Sequence, residues 1–199
     1  MKPTEILSSE HRVIERVLGC LEKIVEQARQ NGRLERQPAE DAIAFFRNFA
    51  DRCHHGKEEA HLIPALEAQG FPRQGGPTGV MLHEHEQGRA CVRGMDESLE
   101  AAAAGDRAAL ERFCQCAGEY VGLLRDHIYK EDHILFMLAD RVLTADNQQQ
   151  LLDAFAKVEA EEMGAGTHAT YLRIADELAA RFGVLHAAPS HGGHRTCGH

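Results

Sequence analysis

Apolar residues recur every three or four positions along several long segments of this chain, which is the pattern of amphipathic α-helices. A first helix is predicted from an N-cap at Thr4 to about Gln30, just before Asn31 and Gly32. Its stripe consists of Leu7, His11, Ile14, Leu18, Leu21 and Val25. No segment alternates between apolar and polar residues as a strand would. The pattern therefore predicts an all-α protein.

Three more long helices follow the first. Helix 2 is predicted from Pro38 to just before Gly70, and Pro is well suited to a first helical turn. Helix 3 begins at Pro77 and ends at Gly105, after which helix 4 begins. Four long amphipathic helices with connections of modest length favour an up-down-up-down four-helix bundle over residues 1–143.

The remaining residues predict an accessory helical part and a tail. A fifth helix begins at Thr144, is interrupted at 164–166, and a last segment runs to Phe182. We expect these accessory helices, residues 144–182, to pack on the bundle or to form a dimer contact. The tail 183–199 is rich in glycine and histidine and is predicted to be disordered.

Six polar residues occupy stripe positions where the periodicity demands an apolar side chain. They are His11, His54, Glu58, His85, His127 and Glu131. Helices 2 and 4 run antiparallel to helices 1 and 3, so depth in them is counted from their C-terminal ends. At 1.5 Å per residue, all six residues fall in one slab, roughly 10–20 Å from the same end of the bundle. We therefore expect their side chains to converge.

An internal repeat connects the same residues. HHGKEEAHLIP (54–64) matches HIYKEDHILFM (127–137), and EHRVIER (10–16) shares Glu-His with EHEQGRA (84–90). The first helical hairpin is therefore interpreted as a diverged copy of the second, and the shared residues include all six stripe residues.

The spacing of these residues suits a pair of metal ions. His and Glu at positions i and i+4 project from one helix face, so each His-x-x-x-Glu presents an imidazole and a carboxylate to one centre. Two carboxylates can bridge two cations, with four imidazoles as terminal ligands. Nitrogen and oxygen ligands without thiolate favour iron or manganese and do not exclude zinc. Without a cation, two buried carboxylates would be costly.

Net charge and composition argue against several classes of binding partner. The net charge of −9 argues against nucleic acid and against an anionic membrane surface. No apolar run reaches the roughly 18 residues of a membrane span. The N-terminus lacks the apolar core and cleavage site of a signal peptide, so a cytoplasmic location is predicted. Most of the six cysteines are interpreted as small core residues.

The motifs CHHGKEEAHLIPAL, MLHEHEQGR and HIYKEDHILF resemble those of the hemerythrin-like HHE cation-binding family, and the similarity covers roughly residues 5–182. The resemblance implies a four-helix bundle around a non-haem di-iron centre. Members of that family are associated with reversible O₂ binding, O₂ or redox sensing, iron handling, and reactions with nitric oxide or peroxide. Carried over by motif, the metal ligands are His11, His54, Glu58, His85, His127 and Glu131.

The chain departs from the oxygen-carrying hemerythrins in helix 3. The resemblance implies two histidines one turn apart there, but the residues at that spacing from His85 are Met81 and Arg89. One terminal position is therefore expected to be empty, held by water, or filled from elsewhere. This favours an open, reactive or sensory centre over stable O₂ carriage.

Several neighbours leave alternatives open. Asp132 is an alternative to Glu131 as a bridge, and Glu59 is an alternative to Glu58. His61, one heptad after His54, is the first choice for an extra ligand. His55 lies about 100° off the stripe and is the second choice, whereas Glu15 is expected to be solvated or to support His11.

The leading functional hypothesis is a di-iron protein that binds, senses or reacts with a small oxidant, namely O₂, nitric oxide or peroxide. The alternative hypothesis is an iron-handling or iron-sensing protein without catalytic turnover. A third hypothesis is a purely structural helical module. The sequence does not decide whether the protein is an enzyme, and a homodimer is an option that it leaves open.

Overall fold

A computed structural model describes residues 1–162 and 166–184, and these contain helices and no strand, which confirms the all-α prediction. Four long helical stretches cover 3–31, 36–68, 76–103 and 107–142. The α-helices within them are α1 (Pro3–Asn31), α2 (Arg36–Phe45), α3 (Ile63–Ala68), α4 (Gly76–Ala103), α5 (Arg107–Lys130) and α6 (Phe136–Val142). Two further helices, α7 (Ala145–Lys157) and α8 (Thr167–Phe182), follow.

Local sequence signals set the helix ends. Gly32 ends α1 in the left-handed conformation with φ of 67°, which favours glycine because it has no Cβ. The Asp106 side chain accepts a hydrogen bond of 2.8 Å from the backbone N–H of Ala109 at the start of α5. Thr144 caps α7 through a capping box with Asn147. These caps separate the helical stretches where the sequence predicted breaks.

The second and fourth stretches are not uniform α-helices. Phe46–His55 and Glu58–Leu62 in the second stretch, and Glu131–Leu135 in the fourth, are π-helical. A π-helix has i→i+5 hydrogen bonds and therefore holds more residues per turn than an α-helix. Residues after such a segment face a different direction from the one that a period of 3.6 predicts. These three segments include or adjoin the His-x-x-x-Glu motifs, whereas a fourth π-helical segment, Val158–Glu162, follows α7.

A polar layer separates two apolar clusters inside the protein. The larger cluster includes Ile14, Phe49, Val92 and Leu124, and the smaller one includes Leu7, Leu62, Met81 and Leu135. On each stretch the two clusters flank the buried polar residue or residues, as His11 lies between Leu7 and Ile14 on α1. The apolar clusters thus hold the polar layer at one depth.

The C-terminal helices pack against the first two stretches. Helix α7 contacts α1 and the Glu58–Leu62 segment, and α8 contacts α1 and α2. Phe155 of α7 is 1% exposed and belongs to the smaller apolar cluster. The predicted tail 183–199 lies outside the described residues except for its first two residues.

No helix among the described residues combines the length and the apolarity needed to cross a membrane. Three of the cysteines, Cys20, Cys53 and Cys114, are buried, as expected of small core residues, whereas Cys91 and Cys116 are partly exposed.

Candidate metal centre

Seven buried side chains meet in the polar layer. One group consists of His55, Glu58, His85 and His127, and a second consists of His11, His54, Glu58 and Glu131. Within each group, one potential ligand atom per residue lies within 4.8 Å of all the others. The structure therefore brings together all six residues predicted from the sequence and adds His55. We call the two groups the three-histidine half-site and the two-histidine half-site.

The two carboxylates each reach both half-sites. Glu58 Oε1 lies 3.5 Å from His54 Nε2, and Glu58 Oε2 lies 3.5 Å from His85 Nε2. Glu131 Oε2 lies 3.2 Å from both His11 Nε2 and His127 Nε2. Each carboxylate thus stands between a histidine of one half-site and a histidine of the other, which is the geometry of a bridge.

Four histidines use Nδ1 to bind a carboxylate outside the cluster. The imidazole N–H groups of His11, His54, His85 and His127 donate to Asp132 (2.9 Å), Glu10 (2.9 Å), Glu59 (2.7 Å) and Glu84 (2.9 Å), respectively. Such a bond fixes the ring orientation and the tautomer, so that Nε2 faces the centre. The carboxylates are in turn held by Arg12, Lys57, Arg89 and Lys130, respectively.

These contacts repeat between the two hairpins of the chain. His54 with Glu10 and Lys57 corresponds to His127 with Glu84 and Lys130. The pair His11–Asp132 likewise corresponds to His85–Glu59. The sequence repeat is therefore a structural repeat. Sequence reasoning assigned no role to Glu10 and Glu84, although the Glu-His pair shared by the two hairpins was the signal that could have identified them.

His55 breaks the symmetry of the repeat. Its ring stacks on that of His85 with centroids 3.9 Å apart, whereas its counterpart in the second hairpin is the buried Ile128. The third helical stretch lacks a second histidine one turn from His85, and we expected that ligand position to be empty, held by water, or filled from elsewhere. His55, from the second stretch, lies next to that position. His61, the first choice for an extra ligand, lies outside the cluster, whereas the second choice, His55, lies in it. His61 is half-buried beside Phe155, with ring centroids 6.4 Å apart.

The structure also shows where the other alternative residues lie. Glu58 and Glu131 are completely buried in the cluster, whereas Glu59 and Asp132 support histidine Nδ1 atoms from outside it. Glu15 is half-buried and pairs with Arg12. The inward carboxylates are thus the ones that the helical stripes predicted.

Opposite charges in the cluster stabilise the protonated forms of His11 and His127 and the ionised form of Glu131. Burial alone would lower the pKa of His127, but attraction from Glu131 and the hydrogen bond to Glu84 raise it to about 10. Burial is likewise outweighed at His11, where Asp132 and Glu131 raise the pKa to about 9. The same histidines hold the pKa of Glu131 well below its ordinary value despite the opposing effect of burial. His55 has a lowered pKa because of burial and the nearby His85 and His127.

The buried atoms that face the centre fit a bound cation. His11 Nε2, His54 Nε2 and all four carboxylate oxygens of Glu58 and Glu131 are buried and have no hydrogen-bond partner. Their mutual approaches of 3.2–3.5 Å do not meet hydrogen-bond geometry. Unsatisfied buried polar atoms are costly, and metal ions between them would satisfy them together. Imidazole and carboxylate donors without thiolate suit iron, manganese or zinc.

A third group of ligand-type residues lies beside the two-histidine half-site. Glu10, Glu159 and His168 cluster there. The Lys57 ammonium lies 2.5 Å from one carboxylate oxygen of each glutamate. Lys57 is completely buried, and burial tends to lower its pKa, but the two carboxylates raise it overall. The ammonium is paired with both carboxylates and offsets one of their two negative charges. It therefore links Glu159, which follows α7, through Glu10 to His54.

A small cavity reaches the three-histidine half-site from the surface. Its volume is about 180 Å³, and His55 forms part of its wall. The rest of the lining is Arg47, Asp51, Gly88, Arg89, Val92, Arg93 and Tyr120. Gly88 has no side chain to occupy the cavity, and a Cβ there would make an ordinary contact of 3.4 Å with the Tyr120 ring. The cavity has room for only a few water-sized molecules.

Comparisons with known proteins bear on the same residues. The sequence pattern of the hemerythrin HHE cation binding domain matches residues 2–139, which include all seven residues of the cluster. Uncharacterized proteins of Mycobacterium tuberculosis and Mycobacterium bovis are 24% identical to the chain over 173 residues, covering 86% of this chain and 67% of theirs. No solved structure matches the chain.

Proposed function

Because the chain belongs to the hemerythrin HHE cation binding domain family, we propose that it holds two metal ions, one in each half-site. His55, His85 and His127 are the terminal ligands of one ion, and His11 and His54 are those of the other. Glu58 and Glu131 bridge the two. The four long stretches form the up-down-up-down bundle that this arrangement requires.

The observation that carries the proposal is the position of the two shared carboxylates. Each lies between histidines of different half-sites, and none of their four oxygens has a hydrogen-bond partner. Two carboxylates buried in this way would destabilise the fold without compensating positive charge. A pair of divalent ions supplies that charge, in place of the protons that His11 and His127 hold in the metal-free protein.

Iron is the proposed metal, with manganese or zinc as alternatives. The cluster offers five imidazoles and two carboxylates and no thiolate, a donor set that suits borderline divalent ions. A bound non-haem iron pair supplies redox-active ions with coordination positions for a small oxidant.

We expect the protein to bind or react with O₂, nitric oxide or peroxide. The cavity leads to the three-histidine half-site, so such a molecule would reach the centre on that side. The cavity of about 180 Å³ beside His55 admits molecules of this size and excludes large substrates.

The roles of the chain's own residues follow from their contacts. Asp132, Glu10, Glu59 and Glu84 hold the imidazoles so that Nε2 faces the centre. His11 stacks on Phe136 with centroids 5.4 Å apart, and the apolar clusters on both sides limit access of water to the centre. Reaction is thereby confined to small molecules that pass the cavity.

The test is a stopped-flow experiment on protein loaded anaerobically with Fe(II). O₂, nitric oxide and hydrogen peroxide are each mixed with wild type, Gly88→Val and, as the matched control, Gly88→Ala. At least one oxidant is expected to change the absorption of the wild type and the Ala variant at similar rates. The Val variant, whose larger side chain narrows the cavity, is expected to react at least about fivefold more slowly with unchanged iron content. No spectral change with any of the three contradicts an oxidant function.

The alternative is an iron-handling or iron-sensing protein, and one observation favours it. Lys57 and Glu10 connect His54 to Glu159, so occupancy of the two-histidine half-site would be coupled to the C-terminal helices. Iron that is unreactive towards all three oxidants, together with hydrogen exchange in α7 that slows on loading, would support this reading instead.

A further inference from the structure

The repeat extends beyond the metal centre to the ends of the helical hairpins. Pro3-Thr4 and Ile6-Leu7 near the start of α1 correspond to Pro77-Thr78 and Val80-Met81 near the start of α4. With Lys57, His61 and Leu62 corresponding to Lys130, Ile134 and Leu135, the two hairpins present equivalent outer faces. What lies on these two faces is different.

On the first hairpin the face is covered by α7. Phe155 packs in one apolar cluster with Leu7 and Leu62, and the Lys57 ammonium lies 5.8 Å from the centroid of its ring. Four residues later, Glu159 Oε1 lies 2.5 Å from the same ammonium. An aromatic residue and a carboxylate at i and i+4 thus fill this face, and Lys57 is left with 0% exposure.

On the second hairpin the equivalent face is uncovered. A groove of about 290 Å³ there is lined by Gly76, Pro77, Val80, Met81, Lys130, Ile134 and Leu135. Val80 is 44% exposed and Ile134 is 53% exposed, although their counterparts Ile6 and His61 are half-buried. Lys130 is 31% exposed and, among the described residues, has Glu84 as its one acidic partner, whereas Lys57 has two.

We propose that this groove is a docking site for an amphipathic helix of another polypeptide that carries an aromatic residue and, four residues later, a carboxylate. The aromatic ring packs on Val80 and Ile134, and the carboxylate pairs with Lys130, as Phe155 and Glu159 do on the equivalent face. Burying exposed apolar side chains supplies the affinity, and the ion pair fixes the register of the helix. The groove is lined by none of the seven cluster residues.

Two other occupants fit less well. The first is a second copy of this chain. If two copies met groove to groove across a twofold axis, the Lys130 side chain of one would face that of the other. The second copy could not supply Phe155 either, because that residue is already buried in its own chain. The chain's own tail, residues 185–199, contains no acidic residue and no phenylalanine, tyrosine or tryptophan. Neither supplies the aromatic and carboxylate pair.

The probe is a fluorescein-labelled peptide with the sequence of residues 145–162, which contains that pair in its native spacing. Fluorescence polarisation with the full-length protein measures its affinity. Ile134→Asp, in the groove, is compared with Tyr129→Asp, an exposed residue on the same stretch that does not line the groove. We expect at least about tenfold weaker binding for Ile134→Asp and less than about twofold weakening for Tyr129→Asp, because a charge in an apolar contact is costly. Peptides with Phe155→Ala or Glu159→Lys are expected to bind at least about fivefold more weakly.

Three results overturn the proposal. The first is the absence of saturable peptide binding. The second is equal affinity for wild type and Ile134→Asp, which means that the peptide replaces α7 on its own face. The third is self-association of the wild type that Ile134→Asp abolishes in sedimentation experiments, which assigns the groove to a second copy. Circular dichroism of each variant checks that the helices are intact.

Discussion

Lys57 and Lys130 occupy equivalent positions in the two hairpins, and each pairs with the glutamate that holds a cluster histidine through its Nδ1 atom. Lys57 nevertheless has 0% exposure and a second carboxylate partner in Glu159, whereas Lys130 is 31% exposed. The C-terminal helices therefore make one half of a repeated structure more buried than the other. The two lysines allow the energetic effect of that burial to be measured within one chain.

Replacing Lys57 is expected to be far more destabilising than replacing Lys130. Lys57→Met leaves Glu10 and Glu159 close together without their cation, and breaking a buried pair in this way costs about 3 kcal/mol or more. Lys130→Met removes a partly solvated pair that contributes about 1 kcal/mol or less. Urea unfolding of the metal-free variants measures both. Equal losses would show that the C-terminal carboxylate adds nothing to the network.

His55 and His61 make a second matched pair. His55→Ile converts the position to the residue type of its counterpart Ile128, so the cluster loses one imidazole while the volume stays similar. We expect the affinity for one of two metal ions to fall at least about tenfold. His61→Gln, outside the cluster, is expected to leave both affinities unchanged. Competition with a chromophoric chelator gives these values, and the reverse pattern would restore His61 as the ligand.

The metal-free protein should lose stability as the pH rises above neutral. The pKa of His11 is about 9 and that of His127 is about 10 in the fold, both above the unfolded value of 6.5. Between these values the folded state binds more protons than the unfolded state, so the free energy of unfolding falls with pH. The contribution is complete below about pH 6.5 and is lost as the pH rises through 9 to 10. His55, whose pKa is lowered, acts only below this window.

Metal binding should release protons in the same pH window, since bound imidazoles cannot keep them. Unfolding curves at pH 7 and pH 9.5, with proton release on metal addition followed by an indicator dye, test both statements. Higher stability of the metal-free protein at pH 9.5, or metal uptake without proton release, would show that His11 and His127 are neutral in the fold.

Periodicity predicted the helices and most of the cluster, because each of the six stripe residues replaces an apolar residue at the depth where the helices meet. It ranked His61 above His55 as the extra ligand, whereas the structure places His55 in the cluster and His61 outside it. A period of 3.6 places His61 one heptad after His54 on the inner face, but Phe46–His55 and Glu58–Leu62 are π-helical. The wider turns bring the adjacent His54 and His55 both inward and rotate His61 towards Phe155.

The helical period also did not predict which carboxylates accept hydrogen bonds from the histidines. Glu10 and Glu84 precede stripe histidines in sequence, yet each accepts a hydrogen bond from a histidine of the other helix in its hairpin. Such a pairing depends on how the helices are packed against each other. The repeat of Glu-His in both hairpins was the one trace of it in the sequence.

The most direct test of the proposed centre is the metal content per chain, with aerobic and anaerobic absorption spectra, of wild type and a His54→Ala/Glu131→Ala double variant. Both proteins are purified anaerobically with iron supplied. The proposal predicts about two irons per chain and an oxo-bridge charge-transfer band in the aerobic wild type, both lost in the variant. No metal above trace in the wild type, or metal that the double variant retains in full, would contradict the dimetal centre.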